Sequence, residues 1–419
     1  MTESALPPFR IETCVPDRRE PGMMMFNIRP GGNADRKVPV GWLMGVDQSG
    51  EIVYCETHKE PPQDVCALPN GNILFSQTGA GMITEMTRAG DTVRRWCAAG
   101  KWRDRTIPDD VRPIDVELLH HTINIFPNGN MLLLTMEIRD IPDWPGSDSD
   151  PDAPAGNARV VGDKVLEVAP DGTIVNKWKM LDLLDPYRLC YGSRSPYWVK
   201  QGFPDSNDWC HCNAATYDQR DDSIIVSLRT QDCLVKFDRA SGDLKWILGT
   251  PNNWKAPWSD KLLSPVGELE WQYHQHDVSV TPDGTIFCFD NGNFRATPFD
   301  PKRPPADNYS RAVEFDIDEA AGTVKQIWSY DGAPGNRLYG CYQGGAFRLP
   351  QTGNSFITYG GIVTDDGTPR DASGGGFCRG RLVEVTPEGE TVFDMWIDAS
   401  AEAEPIPLSV FRAEHIPPI

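Results

Sequence analysis

A repeated pair of β-hairpins is the feature of this sequence that most restricts its fold. Short apolar runs flank turn residues, often Asn-Gly, Asp-Gly or Thr-Gly, which is a strong signal for a hairpin. A second hairpin of the same kind follows each first one, as in "LVEVTPEGETVFDMW" (382–396). Two hairpins make a four-stranded antiparallel sheet, the unit of a β-propeller. The first hairpin occurs five times, as "DVCALPNGNILFSQ" (64–77), "HTINIFPNGNMLLLT" (121–135), "NAATYDQRDDSIIVSLR" (213–229), "DVSVTPDGTIFCFD" (277–290) and "GAFRLPQTGNSFITYG" (345–360).

The two ends of the sequence predict how the repeats close. "GWLMGVDQSGEIVYCE" (41–56) matches only the second hairpin, and "PLSVFRAEHI" (407–416) supplies an inner strand for the same sheet. We therefore predict an all-β fold, a six-bladed β-propeller with four-stranded antiparallel blades, closed by strands from both termini. We expect residues 41–416 to form a single domain, preceded by an irregular strap over residues 1–40. Irregular stretches near 140–160 and 181–209 predict rim loops over a central cavity.

Three of the seven histidines occupy one position of the repeat. His121, His211 and His276 each lie six residues before the residue that opens the turn of their hairpin. The innermost strands of a propeller line its channel, so equivalent positions lie at equal depth around the axis. The other two repeats place Gln63 and Gly344 at this position. The pattern predicts a functional site, with Gln63 among the substrate-binding residues.

Side-chain alternation along a strand separates the neighbours of these histidines. In "WCHCNAATY", His211 and Asn213 face one way, whereas Cys210 and Cys212 face the other. This alternation argues against a Cys-His-Cys zinc site in spite of the composition. It places Asn213 in the predicted site beside His211.

Further polar side chains are predicted either to face the channel or to point away from it. In "YHQHD", His274 faces the axis nearer to the channel entrance, while the His120 of "LLHHTINIF" faces away and packs or bonds between blades. Arg229 follows the apolar strand "SIIVSL", and Asp290 and Asn291 end "TIFCFDN". A guanidinium has five donors in a rigid fork, so an inward Arg229 suits a sulfate, phosphate or carboxylate.

Composition excludes several classes of partner and site. The formal net charge of −20 disfavours binding to nucleic acid or to an anionic membrane surface, and no apolar run approaches the roughly 20 residues of a membrane span. The 11 cysteines form no evident disulfide framework, and the N-terminus has no basic-then-apolar leader, so we expect a cytoplasmic protein. No Gly-x-x-x-x-Gly-Lys-Ser/Thr loop is present, so no nucleotide donor or other cofactor is implied.

The same motifs resemble those of the arylsulfate sulfotransferase family over residues 41–416. The resemblance rests on "HTINIFPNGN", "HCNAATYD" with "VSLRTQD", "QHDVSVTPDGTIFCFDNGN" and the terminal "FRAEHI". It implies a six-bladed propeller that transfers sulfuryl groups between phenols through a transient sulfohistidine. His276 would be the nucleophile, and His121, His211, Asn213 and Arg229 would bind and polarise the sulfuryl oxygens. His274, Gln63, Asp290 and Asn291 would contact the small aromatic, anionic substrate.

Two other hypotheses remain open from the sequence. A lyase or hydrolase could use the same imidazoles as general acid and base on an anion held by Arg229. In a variant, His121, His211 and His276 hold a divalent metal, because three imidazoles suit zinc. A propeller scaffold without catalysis has little reason to place histidines and an arginine along its axis. Both a monomer and a homodimer are compatible with the sequence.

Overall fold

The protein is almost entirely β-structure in the computed structural model, which describes residues 6–31, 40–332 and 335–418. The first strands in chain order are β1 (Phe9–Cys14), β2 (Met23–Pro30), β3 (Gly41–Asp47), β4 (Ile52–His58), β5 (Val65–Ala67), β6 (Ile73–Gln77), β7 (Met82–Met86), β8 (Thr92–Ala98) and β9 (Val111–Ile114). The middle strands are β10 (His120–Ile125), β11 (Met131–Trp144), β12 (Gly156–Val168), β13 (Ile174–Lys179), β14 (Ser206–Asp208), β15 (Cys212–Asp218), β16 (Ser223–Leu228), β17 (Cys233–Asp238), β18 (Leu244–Gly249) and β19 (Ser264–Pro265). The last strands are β20 (His276–Val280), β21 (Ile286–Asp290), β22 (Arg311–Asp318), β23 (Thr323–Tyr330), β24 (Gly345–Arg348), β25 (Ser355–Asp365), β26 (Thr368–Pro369), β27 (Phe377–Val385), β28 (Thr391–Ile397), β29 (Leu408–Ser409) and β30 (Ala413–Ile416).

Helices are short in the described part of the chain. The α-helices are α1 (Met180–Leu183) and α2 (Tyr197–Lys200). The 3₁₀ turns are Pro16–Arg18, Ala99–Trp102, Arg229–Gln231, Trp258–Lys261 and Pro305–Asp307. None of these helices has the length and hydrophobicity of a membrane-spanning segment.

The described strands form six sheets, numbered here by their place in the chain. In sheet 1 the strands follow the order β29-β2-β3-β4, and β30 also pairs with β2. Sheet 2 contains β5 to β9 in chain order. Sheet 3 contains β10 to β13 in chain order, and β14 pairs with β12. Sheet 4 is β15 to β18, sheet 5 is β20-β21-β22-β23-β19, and sheet 6 is β24-β25-β27-β28-β1 with β26 on β25. Each predicted pair of hairpins is thus one sheet, and the prediction of an all-β fold is confirmed. The prediction of four strands per sheet holds only for sheet 4.

The N-terminal segment is the main departure from the predicted organisation. Residues 1–40 were expected to be irregular, but β1 adds an outer strand to sheet 6, and β2 lies inside sheet 1 between β3 and β30. Both faces of β2 are buried, so its sequence "MMMFNIRP" lacks the alternation by which a half-exposed strand is recognised. Residues 1–5 and 32–39 of the expected strap lie outside the described residues.

Turn chemistry fixes the hairpins locally. In the Asn-Gly turns of sheets 2 and 3, Gly71 has a φ of +86° and Gly129 a φ of +83°. Only glycine adopts this backbone region without steric cost, which is why these dipeptides end one strand and start the next. The apolar runs on either side then pair in register, for example Ile73 with Met86 in sheet 2.

The hydrophobic core lies between neighbouring sheets. Trp209 and Phe237 belong to a cluster shared by sheets 3 and 4, and Cys288 and Phe315 to one shared by sheets 4 and 5. Further clusters join sheets 5 and 6, sheets 6 and 1, sheets 1 and 2, and sheets 2 and 3. Every sheet is therefore packed against two others, and the first strands β5, β10, β15, β20 and β24 contact one another in that order.

The two predicted rim insertions have defined structure. The first is partly an extension of β11 and β12, which leaves residues 145–155 as the connecting loop. The second contains α1, α2 and β14, which pairs with β12. The insertions contact each other, because Gly192 donates a backbone hydrogen bond to Asp148 and Arg194 bonds the carbonyl of Pro145.

Candidate active site

The three histidines of the repeat meet in the structure. His121 and His276 lie in the first strands of sheets 3 and 5, and His211 directly precedes that of sheet 4. The ring centroids of His121 and His211 are 5.0 Å apart, and the charges of His211 and His276 both lower the pKa of His121. Their side chains are buried, with 7%, 8% and 3% of the residue surface exposed. The sequence prediction that repeat-equivalent histidines converge is therefore correct for this structure.

Irregular backbone accompanies each of these positions. His121 has a φ of +54°, His211 one of +45°, and Asp277, next to His276, one of +63°. In all three sheets the register of the first strand shifts at this point, which is the signature of a β-bulge. A left-handed conformation costs a non-glycine residue roughly 1–2 kcal/mol. The repetition of this strain in three sheets is typical of a functional site.

A hydrogen bond fixes the tautomer of His276. Its Nδ1 lies 2.7 Å from Oδ1 of Asn291, and the Asn291 amide nitrogen donates to the carbonyls of Gly340 and Gln343 at 2.7 and 2.9 Å. Because the amide nitrogen has these two acceptors, its oxygen faces the ring, and Nδ1 must carry the proton. Nε2 then has the lone pair, in agreement with a backbone N–H of Gln343 at 3.3 Å from it.

Both His276 and His121 are held in the neutral form. Burial is the largest cause that lowers the pKa of His276 well below its ordinary value, and the charge of Arg229 acts in the same direction. For His121, burial again comes first, followed by the charge of His211. A neutral imidazole whose lone pair is on Nε2, as in His276, can act as a nucleophile or a general base near neutral pH.

His211 has an acidic partner that the sequence analysis did not identify. Its Nδ1 lies 2.7 Å from Oδ2 of Asp208, while Oδ1 of Asp208 accepts from the indole of Trp198 at 2.8 Å. The ring of Tyr197 packs edge-on against His211, with centroids 4.7 Å apart. Asp208, Tyr197 and Trp198 all come from the second rim insertion, so this insertion positions one of the three histidines. No repeat pattern marks Asp208, because it lies outside the repeat.

Arg229 is the cation of the site that remains available for an anion. It begins the 3₁₀ turn after β16, and its guanidinium makes one long hydrogen bond within the described part of the chain, 3.5 Å from the carbonyl of Cys341. Among the described residues, no carboxylate lies within ion-pair distance of it. Burial lowers the pKa of Arg229 without removing its charge, which acts on His276. An unpaired guanidinium beside neutral imidazoles favours an anionic ligand.

Arg412 is a second arginine at the site, and the sequence analysis missed its role. It pairs with Asp277 at 2.7 Å and with Asp64 at 2.9 Å, and it donates to the backbone carbonyl of Asn213 at 3.1 Å. Arg412 directly precedes β30, and it therefore ties the start of that strand to β15, to β20 and to the residue before β5. Its charge also lowers the pKa of His276. The sequence did contain a sign of this role, because the motif "FRAEHI" includes Arg412.

The remaining predicted residues have other contacts. Asn213 donates its amide to the carbonyl of Gln275 at 2.8 Å, beside His276, and His274 lies 2.9 Å from Asp232. Gln63 accepts a hydrogen bond from Thr78. Asp290 was expected to contact the substrate, but its carboxylate pairs with Arg311 at 2.8 Å and Arg295 at 3.1 Å. Asn291, also expected to bind substrate, holds His276.

Potential metal ligands meet at a different place from the one predicted. Among the described residues, the group of three whose ligand atoms lie within 4.8 Å of one another is Asp163, Cys210 and Cys212. The imidazoles of His121, His211 and His276 do not meet this spacing. The Nδ1 atoms of the three rings face His120, Asp208 and Asn291.

Comparison with known sequences assigns the family. The profile described as "Arylsulfotransferase (ASST)" matches residues 23–405. The chain belongs to the arylsulfotransferase family. The predicted resemblance is thereby confirmed, and the matched region contains all of the predicted site residues.

Two relatives in the arylsulfotransferase family share moderate identity with part of the chain. The arylsulfate sulfotransferase AssT of Escherichia coli O6:H1 (strain CFT073) is 31% identical over 220 residues, which cover 43% of this chain and 36% of the relative. The enzyme of the same name from Lelliottia amnigena is 28% identical over 224 residues, covering 44% of this chain and 37% of the relative. The chain thus spans just over a third of the length of these curated relatives.

Solved structures similar to this arylsulfotransferase-family chain are more distant. A protein of unknown function from Bacteroides caccae has a TM-score of 0.45 and 13% identity, covering 94% of this chain and 99% of that one. The periplasmic gluconolactonase PpgL of Pseudomonas aeruginosa has a TM-score of 0.42 and 10% identity, covering 93% and 99%.

Proposed function

We propose that this protein moves a sulfuryl group from a phenolic sulfate to a phenolic acceptor through a covalent intermediate on Nε2 of His276. One observation carries the proposal: a neutral imidazole, with its Nε2 lone pair fixed by Asn291, lies under the charge of an arginine, Arg229, that has no carboxylate partner. The first group is a nucleophile and the second binds an anion. Membership of the arylsulfotransferase family supports the same chemistry.

The proposed reaction has two displacements at sulfur. In the first, the Nε2 lone pair of His276 forms the N–S bond while the bond from sulfur to the phenolic oxygen breaks, and the phenolate leaves with that electron pair. In the second, the acceptor oxygen forms a bond to sulfur, the N–S bond breaks, and its electrons return to Nε2. A covalent relay of this kind divides one difficult displacement into two easier ones and predicts ping-pong kinetics.

The surrounding groups have separate roles in this proposal. Sulfuryl transfer resembles phosphoryl transfer, in which positioning and charge stabilisation at the peripheral oxygens supply most of the catalysis. Arg229 holds these oxygens, with the imidazoles of His121 and His211 as further contacts. His211, oriented by Asp208, exchanges the proton of the phenol. Asn213 acts on the backbone beside His276 and is a positioning residue.

The packing of the described sheets against one another supports this arrangement. The hydrophobic clusters pair sheet 1 with sheet 2 and so on around to sheet 6 with sheet 1. We infer a six-bladed propeller with β30 completing the first blade from the C-terminal end. The histidines would then face a central channel, with the second rim insertion over one side.

We further propose a small aromatic anion as substrate and no nucleotide donor. Aromatic rings surround the histidines, with Phe411 5.6 Å from His121 and Tyr197 4.7 Å from His211. The 11 free cysteines fit a reducing compartment such as the cytoplasm. Nucleic acid and membrane are not expected partners, and monomer and homodimer both leave the site complete.

The proposal is tested with 4-nitrophenyl sulfate as donor and phenol as acceptor. We expect release of nitrophenol and formation of phenyl sulfate by the wild type, and at least about a 10³-fold loss in His276→Asn. His58→Asn, in β4, is the matched control and retains activity. Mass spectrometry after donor alone should find one added SO3 group in the wild type and none in His276→Asn. Full activity of His276→Asn would overturn the assignment of the nucleophile.

The pair of His211 and Asp208 favours a lyase or hydrolase as second candidate. Such an imidazole–carboxylate pair, 2.7 Å apart, is a general base that can activate water or remove a proton from carbon. The two functions differ in their dependence on acceptor. A hydrolase releases nitrophenol and free sulfate at the same rate with or without phenol, whereas a transferase needs phenol for turnover.

A further inference from the structure

A second cluster of reactive side chains lies behind the histidine site, between sheets 3 and 4. Asp163 belongs to β12, whereas Cys210 and Cys212 flank His211 at the start of β15. Each of the three residues offers one ligand atom, and these atoms lie within 4.8 Å of one another. Both cysteines are fully buried and Asp163 is 1% exposed. The described transfer chemistry uses none of the three.

His120 lies beside this group of three and pairs with Asp163. Its Nε2 and the Oδ1 of Asp163 are both buried and lie 3.3 Å apart, and neither atom has another hydrogen-bond partner among the described residues. Because buried polar atoms normally have partners, a cation bound by the cluster could satisfy both atoms in place of this one contact. The other oxygen of Asp163 is already satisfied by the backbone N–H of Cys212 and the thiol of Cys210. Oδ1 therefore has His120 as its one partner among the described residues, a contact that a metal ion could replace.

The spacing of His120 Nε2 and Asp163 Oδ1 agrees with two ligands of a tetrahedral metal. Zinc binds nitrogen and oxygen at about 2.0–2.1 Å, which places two such ligands about 3.3 Å apart at the tetrahedral angle. The separation of His120 Nε2 and Asp163 Oδ1 is 3.3 Å. Two sulfur ligands, one carboxylate oxygen and one imidazole nitrogen form a set that suits zinc.

We propose that His120, Asp163, Cys210 and Cys212 form a zinc site that supports the fold between sheets 3 and 4. With four protein ligands the site is closed, which is typical of structural rather than catalytic zinc. It differs from the alternative of a metal on His121, His211 and His276. Strand alternation correctly separates the cysteines from His211, and the imidazole that joins them comes from the neighbouring sheet.

Zinc at this place would also set the tautomer of a histidine in the active site. The Nδ1 atoms of His120 and His121 are 2.8 Å apart. With Nε2 of His120 on the metal, its Nδ1 carries the proton and donates to His121. His121 then presents an N–H from Nε2, a donor for a sulfuryl oxygen. This link rests on the proposed function, whereas the metal site itself does not.

Metal analysis of the full chain tests the site independently of activity. The untagged protein, purified without chelator and dialysed against micromolar zinc, should retain close to one zinc per chain. Cobalt in its place should give the intense thiolate-to-cobalt absorption of a tetrahedral site. The Cys210→Ser/Cys212→Ser variant should lose both signals. Cys233→Ser, another fully buried thiol nearby, and His276→Asn should retain both.

Several results would overturn the proposal. Wild type that retains no zinc after dialysis, or a wild-type mass two hydrogens lower that shows a Cys210–Cys212 disulfide, excludes the site. Metal retained by the double variant but lost by His276→Asn assigns it to the three active-site histidines instead. If the double variant does not fold, His120→Gln replaces it and should lower zinc retention at least tenfold. A zinc-loaded protein inactive on aryl sulfates contradicts the proposed function alone.

Discussion

Nδ1 of His276 lies 2.7 Å from Oδ1 of Asn291, and this contact leaves the lone pair of the ring on Nε2. The Asn291 amide cannot turn over, because its nitrogen already serves the carbonyls of Gly340 and Gln343. From its place at the end of an inner strand, Asn291 was predicted to contact the substrate. In the structure its side chain contacts His276 and two backbone carbonyls.

We expect Asn291→Ala to lower kcat by about 10²-fold or more with a smaller change in KM, because the ring loses the partner that fixes its tautomer. Asn291→Asp is the informative control. It keeps an acceptor at Nδ1 but adds a negative charge, which raises the pKa of His276 and moves the acidic limb of the pH–rate profile to higher pH. Equal kcat in wild type and Asn291→Ala would exclude a positioning role.

The carboxylate of Asp208 is predicted to orient His211 for proton exchange. Asp208→Asn keeps the shape of the side chain but can present an N–H to Nδ1, which reverses the tautomer of the ring. We expect kcat for phenol acceptors to fall about 10- to 100-fold, and the loss to shrink with acceptors of low pKa that need no base. Asp222→Asn, in the turn between β15 and β16 and bound to Arg239, is the matched control. A loss independent of acceptor pKa would contradict this role.

Arg229 should determine affinity for the anionic group. Arg229→Gln removes the charge, so we expect kcat/KM to fall about 10²- to 10³-fold and inhibition by free sulfate to weaken. Arg229→Lys keeps the charge without the fork and should recover only part of the loss. Arg220→Gln, at the turn of the same hairpin, should behave as the wild type. Unchanged inhibition by sulfate in Arg229→Gln would show that the anion binds elsewhere.

The repeat made much of the site predictable from sequence. The hairpin turns give the register, and the register places His121, His211 and His276 at one level. What the pattern could not supply lies outside the repeat. Asp208 belongs to an irregular insertion, and Arg412 reaches the site from the C-terminal strand.

Two departures from the sequence predictions have physical causes. The strand β2 escaped prediction because it is buried on both faces and its apolar run has no period of two. Asp290 misled for a related reason. A carboxylate at the end of an inner strand can equally pair with Arg311 of the next strand.

Arg412 should matter for stability as well as activity. Its removal leaves Asp64 and Asp277 without a compensating charge in a buried place, and breaking such a pair typically costs about 3–5 kcal/mol. We expect Arg412→Met to lower the free energy of unfolding in urea by that amount. Arg10→Met, which breaks exposed pairs with Glu12 and Asp398, should cost no more than about 1 kcal/mol. Similar losses in both variants would contradict a special role for Arg412.

Because of Glu414, we expect the free energy of unfolding to depend on pH in a way that no site histidine explains. Burial, as the largest cause, raises the pKa of this carboxyl to about 8, and nearby Asp64 acts in the same direction. Between the ordinary glutamate pKa near 4.3 and this value, the folded protein holds a proton that the unfolded chain has lost. The free energy of unfolding should therefore fall as pH rises through this window, by a few kcal/mol.

Glu414→Gln tests this origin of the slope, because its neutral amide has no charge to bury. We expect the variant and the wild type to have similar urea midpoints at pH 5, and the variant to be the more stable at pH 8. Glu404→Gln, at an exposed position near the same end of the chain, should keep the wild-type slope. If the free energy of unfolding falls between pH 5 and pH 8 as steeply in Glu414→Gln as in the wild type, then another group takes up the proton. Asp64, whose pKa is raised to about 6, is then the next residue to replace.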